Sequence, residues 1–239
     1  MKSRIFLLLF SFLFIMNHVF TKQIETDSFR AENGSTITVN FIHHASFFFI
    51  FDGITIYVDP VYYEGVEYRM LPKADVILIT HDHYDHFSKE EVYNISKPST
   101  VIYCPKPVSE FLETKIVLRN GEHASSIIDV EAVPAYNTTP GREIYHPEGR
   151  DNGYVITLGG TRIYIPGDCE DMPEMKNLEN IHVAFLPINQ PYTMTVDQAI
   201  NAAKIIKPKI LYPIHYGDTN LEKLQELKNE GIDVRIFSM

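Results

Sequence analysis

Residues 80–86 read Thr80-His81-Asp82-His83-Tyr84-Asp85-His86 and stand directly behind the apolar run Val76-Ile77-Leu78-Ile79. The run is short, rich in β-branched side chains and preceded by Pro72 and Lys73, so it predicts a buried strand whose end presents the polar residues. Five of the seven positions are imidazole or carboxylate. Histidine is the commonest metal ligand and carboxylate its usual partner, so three histidines and Asp85 in six positions predict a transition-metal site, with zinc the first choice. A solvated histidine cluster is the competing reading, but solubility alone does not explain a strand that runs straight into H-x-H-x-D-H.

A chain of 239 residues, 45% hydrophobic and 22% charged, is long enough for one large globular domain, and no Pro/Gly/Ser-rich linker divides it. Its formal charge of −10 is scattered as Asp and Glu, which disfavours nucleic acid as a partner and leaves a small-molecule substrate; the oligomeric state is not legible. Cys104 and Cys169 are too few for a disulfide framework. Residues 1–22 stand apart from the domain predicted over residues 23–239. Lys2 and Arg4 precede an apolar run over residues 5–16, which has signal-peptide length and is short for a membrane span. The chain is therefore expected to be exported, and to be membrane-anchored through residues 5–20 if the leader stays uncleaved.

Taken in order, alternation at Ile37, Val39 and Phe41 predicts a half-buried strand. Residues 47–51 and 54–58 flank Asp52-Gly53, which supplies the positive φ angles of a tight primed turn, so they predict a β-hairpin that stops at Asp59-Pro60. His43 and His44 fall between strands and read as surface or structural residues. Ser88 to Glu91 is a capping-box pattern that opens a helix reaching Ile95 and pins the far end of the histidine loop. Strands are expected at 101–104, 115–118 and 127–133, with a brief helix at 108–112. Residues 136–152 are polar and carry Pro140-Gly141 and Pro147-Glu148-Gly149, and a loop this long in a compact domain is usually functional.

A second hairpin, 154–158 with 162–165, runs into Pro166-Gly167-Asp168. A strand at 182–188 follows, then a capping box at Thr195 to Gln198 that opens an amphipathic helix ended by Pro208. The strand 210–214 delivers His215. An amphipathic helix with Leu221, Leu224 and Leu227 and a strand at 234–237 close the chain. Strand-rich blocks punctuated by helices fit a sandwich of two sheets with helices outside, in which polar strand ends gather at one edge.

His81-x-His83-x-Asp85-His86 after an apolar strand, Gly167-Asp168 after a hairpin and Pro213-Ile214-His215 after a late strand resemble, in that order, the motifs of the metallo-β-lactamase-fold hydrolases. Leu186-Pro187-Ile188 and Tyr192-Thr193-Met194-Thr195 resemble a small, lactonase-like subgroup whose substrates are diverse. The resemblance implies an α+β fold, a four-layer αββα sandwich with metals at one edge of its β layers. It implies that His81 and His83 bind a first metal, that Asp85 and His86 bind a second, that Asp168 bridges the two and that His215 completes the second site. The family's third histidine of the first site is missing from its usual place, which reads Ala135-Tyr136-Asn137. Asn137 or a water fills the position, or His146 reaches in from the following loop, and imidazole being the better zinc ligand favours His146.

The implied reaction is hydrolysis of a small ester, lactone or phosphoester by a metal-activated hydroxide, using one or two Zn2+ ions, with manganese or iron as alternatives. Histidine at position 83, where di-iron relatives of the fold resemble H-x-E-x-D-H, favours zinc. Asp85 would orient the nucleophile or take its proton, and Tyr192 or Tyr136 would protonate the leaving group. Arg142 and Arg150 either clamp an anionic group or are solvated; Cys169 and His123 read as structural. Asn33, Asn94 and Asn137 lie in glycosylation acceptor sequences, and a glycan on Asn137 would obstruct the site. The rival to the enzyme is a non-catalytic binding or signalling module that keeps the fold and a structural metal.

Overall fold

Residues 23–239 are described by a computed structural model, and the leader predicted over residues 1–22 lies outside them. The hairpin and strand signals build one mixed sheet from β1 (Glu25–Arg30), β2 (Thr36–His43), β3 (Ser46–Phe51), β4 (Ile54–Val58), β5 (Val76–Leu78), β6 (Val101–Cys104) and β7 (Ile116–Val117), in that spatial order. A second sheet holds β8 (His123–Ser125), β9 (Asp129–Ala135), β10 (Asp151–Leu158), β11 (Thr161–Ile165), β12 (Ile181–Pro187), β13 (Ile210–Ile214) and β14 (Asp233–Val234). The Asp52-Gly53 turn has positive φ at both residues, 46° and 80°, as its sequence requires.

The inner faces of the sheets bury Phe41, Phe47 and Phe49 against Tyr154, Phe185 and Tyr212. Phe47 stacks on Phe185 with ring centroids 4.4 Å apart, and each such side chain contributes about 1.5–3 kcal/mol by leaving water. Outside the first sheet, α1 (Lys89–Ile95) buries Val92 and Ile95 against Ile77 and Ile79. Outside the second, α3 (Val196–Ile206), opened by the full Thr195/Gln198 capping box, buries Ala199 and Ala203. The result is the helix–sheet–sheet–helix layering expected. Near the sheet edges Asp27 of β1 accepts hydrogen bonds from Tyr212 Oη of β13 at 2.8 Å and from Arg235 Nη1 at 2.9 Å, which ties one sheet to the other.

Some elements differ from expectation for local reasons. The helix expected at 108–112 is α2 (Lys106–Ser109), placed earlier because Pro107 suits a first helical turn. Glu222–Glu230 winds as a 3-10 helix, which suits the three-residue spacing of Leu221, Leu224 and Leu227. β10 begins at Asp151, paired with Ala135, so the polar loop shortens to 136–150 and Asp151 is held in the sheet. β8 had no signal in its polar sequence, and His123 is exposed on it.

Strand direction places the site. Antiparallel pairing of β2, β3 and β4, then parallel pairing of β4 with β5, sends β2, β4 and β5 the same way. The pairing of β9 through β13 likewise sends β9, β11 and β13 the same way. The C-terminal ends of these strands therefore carry His44, Asp59, His81, Asp168 and His215 toward one edge of the sandwich, and the loop after β9 brings His146 to the same edge.

Candidate metal centre

Two groups of side chains meet at that edge. His81, His83 and His146 offer ring nitrogens within 4.8 Å of one another, and so do the ligand atoms of His44, Asp85, His86 and His215. Asp168 lies between them. Its Oδ1 is 3.3 Å from His86 Nε2, and its Oδ2 is 3.2 Å from His215 Nε2 and 3.4 Å from His146 Nε2. Nε2 of His81, His86 and His215 and Oδ1 of Asp168 are buried and make no hydrogen bond. A buried polar atom without a partner costs about 1–3 kcal/mol. Four in one cluster of imidazoles and a carboxylate is a donor set that a transition-metal cation satisfies, so the residues present fit a metal centre.

The electrostatics agree. Burial, reinforced by neighbouring imidazoles, holds His81 well below its ordinary pKa, and burial also lowers His83 and His44, so their lone pairs stay free. Burial opposes the charged form of His215, but the Asp168 and Asp85 carboxylates outweigh it and push the imidazole up to about 9. His86 is raised against its burial by Asp168 and Asp59, and His146 by Asp151 and Asp168. Burial likewise opposes ionisation of Asp168, yet the imidazoles of His215, His86 and His146 hold it well below the carboxylate range. The protons crowded around Asp168 are those a divalent cation displaces on binding.

A second tier fixes the ring orientations. Asp59 Oδ2 lies 2.9 Å from His86 Nδ1 and accepts from Thr80 Oγ1 at 2.7 Å, while Asp59 Oδ1 accepts from Thr80 N–H at 2.7 Å. Thr80 Oγ1 is in turn 2.9 Å from His81 Nδ1. Gly167, at φ 66°, lets the chain pass close by: a Cβ there would stand 2.7 Å from Thr80 Cβ.

His146 is the residue that reaches His81 and His83, with ring centroids 5.1 and 4.8 Å away. Its loop is strapped from within. Asn137 N–H donates to His146 O at 2.9 Å, and Asn137 Nδ2 donates to Tyr192 O at 2.7 Å and Arg142 O at 3.2 Å. The buried Glu170 accepts from the Thr138 and Thr139 amides at 2.8 and 2.6 Å and from Arg142 Nη1 at 3.0 Å. Asn137 is thus buried in the strap, closed to glycosylation. Arg150 is half-buried and engaged, pairing with Asp82 and Asp151 at 2.6 Å each.

A cleft of about 600 Å³ opens onto the centre, with Tyr84, Tyr145, Asn189 and Tyr192 among its walls. Tyr192 packs edge-on to Tyr145, centroids 5.0 Å apart. Tyr136 does not line the cleft. Its hydroxyl is turned to Glu174, donating at 2.9 Å, and this placement outside the cleft removes it as an acid for the reaction; burial with that carboxylate pushes it up to about 12. His44, read from sequence as surface or structural, lines the cleft beside Asp85. Asp59 reads in sequence only as the residue before the proline that stops β4, while Asp168 is marked by the family resemblance; a carboxylate at the end of a buried strand, common to both, is the signal that could have found Asp59. Cys169 is fully buried in the apolar cluster under α3, and burial raises its thiol well above the ordinary range.

Residues 38–215 match the β-lactamase superfamily domain. A crystal structure from Parabacteroides distasonis, described as that of a metal-dependent hydrolase, is similar at 50% identity over 91% of this chain and 100% of that chain, with a TM-score of 0.87. A metal-dependent hydrolase of Archaeoglobus fulgidus is 29% identical, covering 83% of this chain and 94% of its own length. A metallo hydrolase from Ignicoccus hospitalis shares the fold at 23% identity, with a TM-score of 0.70 over 84% of this chain and 95% of that one. The chain presents a two-sheet sandwich with histidine and carboxylate donors gathered at one edge, and it belongs to the β-lactamase superfamily. Within that superfamily it is a metal-dependent hydrolase, like the relatives it resembles.

Proposed function

We propose that the chain hydrolyses a neutral ester or lactone, with zinc as its metal. His81, His83 and His146 would hold one cation, Asp85, His86 and His215 another, with Asp168 between them. Three imidazoles in the first group favour zinc. The fold itself does not choose, because a diiron β-hydroxylase from Streptomyces venezuelae shares it at 15% identity and a TM-score of 0.66. When bound, the cations supply a hydroxide at neutral pH and a Lewis acid for the substrate oxygen. The protein supplies the rest. Asp85, 30% exposed at the cleft floor, is held ionised by His215 and His44 against the effect of burial, and is placed to accept a proton. Tyr192, 45% exposed on the cleft wall, is placed to give one to the leaving oxygen.

The observation that carries the choice of substrate is the state of the arginines. Arg142 is engaged by Glu170, and Arg150 by Asp82 and Asp151, so neither is free to clamp a phosphate. Tyr84, Tyr145 and Tyr192 instead offer flat faces to a neutral acyl or ring group. The non-catalytic alternative rested on Asn137 standing in for a histidine, and it loses that motive with His146 beside His81 and His83. Protein purified without chelator and assayed on aryl esters, lactones, phosphodiesters and β-lactams should turn over the neutral esters or lactones at least about tenfold better in kcat/KM, a difference of about 1.4 kcal/mol. Chelation should abolish the activity and zinc restore it. A preference for phosphodiesters would sink the substrate assignment.

We propose further that the chain is exported, on the strength of Lys2, Arg4 and the apolar residues 5–16. In the native host, fractionation should place the protein outside the cytoplasm or on the membrane face. Recovery of a full-length, cytosolic chain would refute this.

A further inference from the structure

We propose that His44 is a positioning residue that closes the second metal group by holding Asp85 and His215 at once; the proposal rests on the metal-centre reading above. The two ligands come from different sheets, Asp85 from the loop behind β5 and His215 from the end of β13. His44, in the turn between β2 and β3, touches both. Its Nε2 is 3.2 Å from Asp85 Oδ2. Its carbonyl oxygen accepts from the His215 N–H at 2.9 Å. Its ring lies over the His215 ring with centroids 3.6 Å apart and a tilt of 44°.

The backbone is bent to make this contact. His44 and His215 have φ of 59° and 48°, the left-handed region that a residue with a Cβ rarely adopts, and such strain persists where surrounding contacts hold it. Asp85 is the residue that needs holding. At 30% exposure it is far less buried than His86, His215 or Asp168. A carboxylate facing a cleft loses rotamer freedom when it ligates, and a hydrogen bond from His44 Nε2–H to Oδ2 imposes that loss beforehand. The same donor leaves the second Asp85 oxygen and the remaining Oδ2 lone pair for the cation. His44 thus acts through Asp85 and His215.

The test measures metal content and affinity, independent of turnover, on the full chain by elemental mass spectrometry and chelator competition with zinc. His44→Ala should weaken one of the two zinc ions by about 10–100-fold and leave the other near its original affinity. His44→Gln, whose amide Nε2 reaches to the same place, should recover most of the loss. Thermal melts confirm that each variant is folded. Unchanged affinity in His44→Ala would overturn the role, and so would a His44→Gln as weak as His44→Ala, because then the imidazole itself and not its N–H is what matters. His86→Ala separates the two levels: if it keeps wild-type zinc content, the metal-centre reading fails and His44 with it, whereas loss of zinc in His86→Ala beside an inert His44→Ala refutes His44 alone.

Discussion

Asp168→Ala is expected to strip most of the metal from both groups and to lower kcat/KM by about a thousandfold, the equivalent of several kcal/mol of lost electrostatic stabilisation. Among the described residues, Asp168 is the carboxylate that faces both groups, through His86 on one oxygen and His146 and His215 on the other. Removing it changes more than one ligand. Burial opposes the charged forms of His86 and His215 and Asp168 does most to offset it, so without that carboxylate only Asp59 at His86 and Asp85 at His215 remain against burial, and both imidazoles fall toward neutrality. Two cations would then face each other across the centre with no anion between them, and mutual repulsion would expel at least one. Zinc per chain and turnover in zinc-supplemented buffer, on protein shown to melt cooperatively, check the prediction. A variant that keeps both metals and works within about tenfold of the parent, 1.4 kcal/mol, would show that Asp168 does not bridge.

The candidate donors that sequence made visible are those whose neighbours announce them. His81, His83, Asp85 and His86 crowd one loop behind an apolar run, and His215 and Asp168 end strands with clear β-branched patterns. The layering followed from the hairpins and capping boxes, because each buries one face at a fixed period. His44 and Asp59 were legible only as residue types. Their roles depend on which strand ends lie side by side, and sheet order is a matter of pairing between segments remote in sequence. His146 was one of several polar residues in a loop with no periodicity. What brings it inward is the strap of Asn137 and Glu170, each bonded to backbone groups that no sequence pattern identifies. The arginines show the same limit: Arg150 flanks the candidate donor His146 in sequence, but its partners Asp82 and Asp151 come from two different sheets' ends.

Asp59→Asn, isosteric and uncharged, is expected to weaken zinc at both positions by about 10–100-fold each, although Asp59 touches no metal in the proposed assignment. In the parent, Thr80 Oγ1–H donates to Asp59 Oδ2, which leaves the threonine oxygen to accept from His81 Nδ1–H, while His86 Nδ1–H donates to the same carboxylate. Both rings therefore carry a proton on Nδ1, which leaves Nε2, buried and without a hydrogen-bond partner, as the nitrogen a cation would take. An amide whose oxygen stays on the Thr80 N–H presents its NH2 where Oδ2 was. That group donates to His86 Nδ1 and to Thr80 Oγ1, and the threonine proton swings to His81 Nδ1. Each imidazole must then hold its proton on Nε2, so the lone pairs that would bind zinc are gone. Flipping the amide instead sets its NH2 against the Thr80 N–H and leaves a buried donor unpaired, at about 1–3 kcal/mol. Chelator competition measures the affinities, and imidazole 15N shifts report the tautomer of each ring. Wild-type affinity at both positions, with Nδ1 still protonated in His81 and His86, would mean that this hydrogen-bond chain does not set the ligands.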